Sequence, residues 1–344
     1  MVCCVGGVRL AVLDEQRCLV AVVEEFIDKC PRTKYAEWRC KTFLSILASF
    51  FGNSKELIRM SVLSHTVTPC SMPEQSKGTL VLVHGLTSAG PTFTNVLEPL
   101  SRYATIVNVD LRGHGKSFEP EDVADFKLES MAADIKALLE HLSITEPVHI
   151  LGHSWGSRVV LTFALMNPGS VKSLIVEDEF IDKDKPSEDP DNDDEKKIIE
   201  KAKAQKDEYK PTFPTFEEAF AFLEKQHGKD RVDYSRKIIK NDAGEFIPLF
   251  KPHVATVWDF YCRVADMNAV WKDVKAFPFK ILIMKAGDKT SDIDDGMYKK
   301  LQMEAAAYGP DQRQLVLIPE SSHPIHRTHP DDFVREMVSF LSQK

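Results

Sequence analysis

Long apolar runs are missing from this chain. No stretch approaches the ~20 residues that a membrane-spanning helix needs, so an integral membrane span is not expected. A surplus of positive charge is missing too. The formal net charge is -8, and phosphate backbones demand a basic surface, so nucleic acid is excluded as the main partner. Metal-binding cysteine spacing is also absent. Seven cysteines are present and six lie between Cys3 and Cys70, yet none forms a C-x-x-C pair and no Cys/His cluster has zinc spacing. The expectation is a chain without metal or organic cofactor, holding reduced and mostly buried thiols in the cytoplasm. Cys3 and Cys4 stand where acylation could occur, but Val2 follows Met1 where a myristoylation motif has glycine. The apolar opening, residues 1–13, lacks a basic start and meets Asp14, Glu15 and Arg17 at once, which argues against a secretory signal.

What is present is a chain of 344 residues, 43% hydrophobic and 28% charged. That is room for one large α/β domain with an insertion, or for two domains. The first 71 residues read as helical. Leu19, Val20, Val23, Phe26 and Ile27 recur at helical spacing after a capping Asp14, and a second helix with a greasy face spans residues 34–51. Over residues 72–181 the pattern changes. "TLVLVHG", "ATIVNVD", "VHILGHS" and "SLIVED" are short apolar runs ending in Gly, Asp or a polar turn, with helical stretches such as 128–142 and 157–166 between them. This alternation predicts a mostly parallel sheet with helices on both faces. The strands resume at "FKILIMKAG" and "QLVLIPE" within residues 278–344, before a final helix at 330–341. Between the two blocks, residues 182–277 show no buried-strand signal. They open on the acidic "DKDKPSEDPDNDDEKK" and then read as helices at 196–208, 215–226 and 254–264, a helical cap inserted into the sheet.

The chemistry concentrates at "ILGHSWGS". Gly152-His153-Ser154-Trp155-Gly156 fits G-x-S-x-G between an apolar strand and an apolar helix, the context that puts a serine on a sharp strand-to-helix turn. The free amides and partial positive charge of the helix start favour an anion forming there. A serine hydroxyl needs a base, and histidine serves best near neutral pH. His323 stands out among 11 histidines, because it follows the last strand in "SSHPIHRTHPDDF" and so reaches the same sheet edge as Ser154. His326 is its competitor, and His329 precedes Pro330 at the start of the final helix.

Four motifs in order resemble the α/β-hydrolase family over residues 78–344: "HGLT" at 84–87, "DLRGHGKS" at 110–117, "GHSWGS" at 152–157 and the "SSHPIHRTHPDDF" loop at 321–333. The resemblance implies Ser154 as nucleophile, His323 as general base, and the backbone N–H groups of Leu86 and Trp155 as oxyanion hole. His84, Gly85 and His153 become candidate substrate-lining residues. The acid is open. The family's usual position falls on Thr290, flanked by Asp288 and Asp292, while some members draw the acid from the strand end that here carries Asp178. Asp292, in an "SD" plus aliphatic context, is placed first, Asp178 second and Asp288 third. "GHSWG" also resembles the elbow of cap-bearing epoxide hydrolases, which use Asp where this chain has Ser154. Serine suits attack on a carbonyl, so the implied reaction is hydrolysis of a small-molecule ester, thioester or similar acyl compound through a Ser-His-Asp triad and an acyl-enzyme. A non-catalytic or slow-turnover receptor or scaffold on the same fold, or an acyltransferase, are the alternatives. The cap aromatics Phe220, Phe222, Trp258, Phe260 and Tyr261 are candidates to shape an apolar acyl site, against the simpler reading that they form the cap's own core. Arg112 and His114 stand near the expected pocket mouth, with structural hydrogen bonding at least as fitting a role.

Overall fold

The computed structural model of the chain describes residues 2–5, 8–11, 62–179, 194–227, 237–240, 243–248, 250–309 and 311–343. Two compact units are present, Met1–Ser61 and Val62–Lys344. In the first, Val2–Val5 and Val8–Ala11 pair as an antiparallel hairpin, with Val2 opposite Ala11. The helices expected at 14–27 and 34–51, and most of the acidic run after Asp182, lie outside the described residues.

The second unit is built on seven strands: β1 His65–Thr68, β2 Thr79–Val83, β3 Thr105–Val109, β4 Val148–His153, β5 Val171–Glu177, β6 Lys280–Ala286 and β7 Arg313–Ile318. Their order across the sheet is β7-β6-β5-β4-β2-β3-β1. All pairs are parallel except the edge strand β1, which runs antiparallel to β3. The sheet therefore reaches back into the first 71 residues, which read as helical from sequence.

Side chains alternate between the two faces. Val81, Val83, Leu174, Val176, Ile281 and Ile283 join the larger apolar layer, with helices Leu128–His141 and Trp155–Met166. Leu80, Leu82, Ile175, Leu282 and Met284 join the other, with Thr94–Ser101 and Pro330–Ser342. Both faces are dry, which is why these strands are continuous apolar runs rather than alternating ones. Each such side chain contributes roughly 1.5–3 kcal/mol on burial.

Adjacent strands β5 and β6 are separated in sequence by the insertion. It holds helices Glu195–Glu208, Phe216–His227, Pro252–Val264 and Met267–Val274, and a short antiparallel hairpin of Ile238–Lys240 with Phe246–Pro248. Aspartates start two of the helices. Asp194 accepts from the Lys196 and Lys197 amides, and Asp266 from the Ala269 amide. Phe213, Ala219, Leu223, Ile238, Phe250 and Ala255 form the insertion's own small core, and Leu86 packs against it from the loop after β2. Among the described residues, no helix is long and apolar enough to cross a membrane.

Candidate active site

Ser154 sits at the carboxyl end of β4, directly before helix Trp155–Met166, with φ 51° and ψ -132°. This left-handed backbone costs a non-glycine residue about 1–3 kcal/mol and is held by its surroundings. The Ser154 amide donates to the Glu177 carbonyl at 2.9 Å. The Ser157 hydroxyl donates to the Gly152 carbonyl at 2.6 Å. A Cβ on Gly152 would lie 2.5 Å from the Gly156 carbonyl oxygen, and one on Gly156 would strike the His84 carbonyl oxygen. The glycines of the motif are therefore the clearance that lets β4, the elbow helix and the "HGLT" loop meet. Trp155 opens its helix, so its N–H belongs to the first-turn amides without an intrahelical acceptor.

His323 follows β7 in the predicted loop. Its Nδ1 lies 2.9 Å from Asp178 Oδ2, and its Nε2 lies 3.5 Å from Asp292 Oδ2. An ionised carboxylate only accepts, so Nδ1 carries the proton and donates to Asp178, leaving Nε2 as the acceptor of the neutral ring. Asp178 is fully buried and has φ 49°. It also accepts from the Ala286 amide at 2.8 Å, the Ser291 hydroxyl at 2.6 Å and the Asp292 amide at 3.3 Å. The Asp292 side chain is 36% exposed. Asp288 turns elsewhere, accepting from the Thr290 amide and the Ser322 hydroxyl. The Thr290 hydroxyl in turn accepts from the His323 amide at 2.8 Å, so Asp288 shapes the loop without reaching the ring. Of the three carboxylates, Asp178 meets Nδ1, Asp292 meets Nε2, and Asp288 meets neither ring nitrogen. Burial disfavours the imidazolium of His323, but the Asp178 hydrogen bond and the charges of Asp292, Asp178 and Glu179 outweigh it and raise the pKa above its ordinary value.

His326 is committed elsewhere. It is fully buried, its amide and Nδ1 donate to Glu177 Oε1 at 2.9 and 2.8 Å, and its Nε2 lies 2.9 Å from the Thr92 hydroxyl. The Glu177–His326 pair ties the histidine loop to the end of β5. Sequence reasoning missed it because Glu177 reads as a strand-end residue. His153 is buried beside the serine, with ring centroids 4.9 Å from both His323 and His326, and neither of its nitrogens has a hydrogen-bond partner among the described residues. Burial first, and then the neighbouring histidines, hold its pKa well below the ordinary value.

Expected substrate-lining residues behave differently. The Leu111 amide donates to His84 Nε2 at 3.0 Å, so His84 Nδ1 donates to the Gly85 carbonyl at 2.8 Å, and no ring nitrogen is left for a ligand. Burial pushes the His84 pKa down to about 4. Gly85 is there for closeness, since a Cβ would come within 2.9 Å of the Ser154 Cβ. Arg112 is spent on Asp134, at 2.6 and 2.7 Å, and on the Asp125 carbonyl. His114 packs against His84 and Trp258. Trp258, Phe260 and Tyr261 are buried in the main core, while Phe220 and Phe222 pack on the insertion's own cluster. Beneath the site, Arg158 of the elbow helix donates to Glu179 Oε1 at 2.8 Å and to the Cys262 carbonyl at 2.5 Å. It binds the elbow to the insertion.

The sequence profile of the alpha/beta hydrolase fold family matches residues 78–262, more than half of the chain. The chain belongs to this family. Among known proteins it is similar to the soluble epoxide hydrolase of Corynebacterium sp. (strain C12), 35% identical over 99 residues, which are 29% of this chain and 34% of that protein. Epoxide hydrolase 4 of Mus musculus is 31% identical over 103 residues, 30% of this chain and 28% of that one. The chain thus spans about a third of the length of these curated relatives. A solved marine microorganism esterase superposes over 81% of this chain and 98% of its own, with a TM-score of 0.57 at 20% identity, which is likeness of fold.

Proposed function

We propose that the chain is a serine hydrolase of carboxylic esters, thioesters or similar acyl compounds, with Ser154 as nucleophile, His323 as general base and Asp178 as the orienting acid. The observation that carries this reading is the Asp178–His323 Nδ1 bond at 2.9 Å, with the His323 ring 4.9 Å from that of His153, the residue before the left-handed Ser154. Ser154 Oγ bonds to the substrate carbonyl carbon as His323 Nε2 takes its proton. The carbonyl electron pair moves to oxygen, and the N–H groups of Leu86 and Trp155 hold that oxyanion. When the pair returns, the bond to the leaving group breaks and His323 gives the proton to the leaving atom. Water then attacks the acyl-enzyme by the same steps in reverse order. Asp178 keeps its charge throughout and stabilises the imidazolium.

Epoxide chemistry fits less well, although the soluble epoxide hydrolase named above is a relative. A serine ether left after ring opening has no carbonyl for water to attack, whereas an acyl-serine does. The insertion between β5 and β6 is read as a cap over the pocket, resting on Leu86. The test is hydrolysis of p-nitrophenyl esters of graded chain length, with intact-mass detection of the acyl adduct, run with and without an added alcohol. Release of free acid supports a hydrolase. Ester transfer to the alcohol in preference to water makes it an acyltransferase, and no turnover with any ester refutes the reading.

A further inference from the structure

Next to the serine elbow, three buried side chains of ligand type converge. His153 is 7% exposed, and Glu177 and His326 are fully enclosed. One nitrogen from each histidine and one Glu177 oxygen all lie within 4.8 Å of one another. His326 Nδ1 is 2.8 and 2.9 Å from the two Glu177 oxygens. The His153 ring stands edge to face with that of His326, centroids 4.9 Å apart. Neither His153 nitrogen meets a partner at hydrogen-bond geometry among the described residues. A buried imidazole in that position has given up its bonds to water without replacing them, which native structures rarely leave unexplained.

Two imidazoles and one carboxylate suit zinc and its neighbours in the first transition series, whereas calcium and magnesium take all-oxygen sets. Three atoms no more than 4.8 Å apart leave a point about 2.8 Å or less from each. Zinc bonds to nitrogen and oxygen run about 2.0–2.2 Å, so each side chain need draw in by about 0.8 Å at most. Charge favours a cation as well. Lys237 and the neighbouring histidines are the positive charges felt at His153. Against them stand Glu177 within the group, and Asp178 and Asp292, whose charges are felt at His323, 4.9 Å from His153 between ring centroids. The expectation of a chain without metal rested on cysteine and Cys/His spacing, and ligands spread over positions 153, 177 and 326 leave no such spacing. Each is a chain neighbour of one proposed triad member. His153 precedes Ser154, Glu177 precedes Asp178, and His326 lies three residues past His323.

We propose that His153, Glu177 and His326 bind a divalent transition-metal cation of the zinc class, and that the bound cation restrains the triad by disfavouring the imidazolium of His323. The restraint half rests on the serine-hydrolase reading, and the binding half stands without it. Binding is read by titrating Co²⁺ into the full chain after treatment with EDTA, following the visible absorption, and then displacing it with Zn²⁺. One site per chain is expected, with the intense visible bands of four-coordinate cobalt. His153→Leu removes a side chain that makes no hydrogen bond, and it weakens binding by about tenfold or more. Glu177→Gln does the same, and His323→Gln leaves binding unchanged. Zn²⁺ raises the melting temperature of the unmodified chain and not that of His153→Leu. No binding, or binding that His153→Leu leaves unchanged, overturns the proposal. A thiolate band in the near ultraviolet, or loss of binding in His323→Gln, then shows where the metal goes instead. In kinetics, saturating Zn²⁺ lowers kcat on p-nitrophenyl acetate by about tenfold, and His153→Leu abolishes that inhibition. An unchanged kcat overturns the restraint. If no ester is hydrolysed, the reading of Ser154 fails while the cobalt titration still decides the metal site.

Discussion

Nδ1 of His323 lies 2.9 Å from Oδ2 of Asp178, a residue 145 positions earlier in the chain. One residue before Asp178, the Glu177 carbonyl accepts from the Ser154 amide, and the Glu177 side chain holds His326. The end of β5 thus holds the Ser154 amide and His326 through Glu177, and the His323 ring through Asp178.

The acid assignment is tested by two asparagines. Asp178→Asn presents an amide to Nδ1 and favours the wrong tautomer, so kcat on an ester falls about 10³–10⁴-fold. Asp292→Asn leaves the Nδ1 bond intact and costs about tenfold or less. Steady-state kinetics of both variants decide the matter, and the reverse order would return the role to Asp292.

The pH profile follows from His323. The base works only when neutral, and its pKa stands above the ordinary 6.5, so activity rises through a limb displaced above that value. The Asp292 charge favours the imidazolium. Removing it in Asp292→Asn lowers the pKa of the base and moves the limb of kcat/KM toward acid. A limb that stays in place contradicts the assigned electrostatics.

Stability responds to pH with two signs. His84, His149 and His114 are buried, chiefly neutral groups whose pKa values burial pushes down to about 4, 4 and 3. The unfolded chain takes up protons at these sites first as pH falls below 6.5, so the fold loses stability from there down. Each site withdraws up to about 3 kcal/mol by pH 4. His323 has the opposite sign, because its raised pKa contributes stability that is full below 6.5 and is lost as pH rises through the folded value. Three groups outweigh one. The melting temperature drops between pH 6.5 and 4, and His149→Gln flattens that slope.

The buried pair Arg158–Glu179, with both side chains almost fully enclosed, predicts a large single-mutant effect. Arg158→Met takes the guanidinium away from the buried Glu179 carboxylate and costs about 3–5 kcal/mol in urea unfolding. Arg158→Met with Glu179→Leu removes both charges and recovers much of the loss. Equal losses in single and double variants would show that the pair is not coupled.

Much of this was legible in sequence, and the exceptions have physical reasons. Parallel strands buried on both faces write themselves as "TLVLV" and "KILIMKA", and an elbow between strand and helix is a local pattern. The edge strand His65–Thr68 is four residues long with Val67 exposed, so it leaves no apolar signature. The hairpin at Ile238–Lys240 and Phe246–Pro248 has three residues a strand and no continuous buried run, and hides for the same reason. The acid was ambiguous because Asp178 and Asp292 both reach the His323 ring, and only the fold shows which nitrogen each one meets.

Fluorophosphonate labelling with peptide mass analysis reads whether Ser154 is an activated nucleophile. One adduct is expected, on Ser154, absent from Ser154→Ala and slowed in Asp178→Asn. A folded protein that does not label, or that labels at another residue, would contradict it.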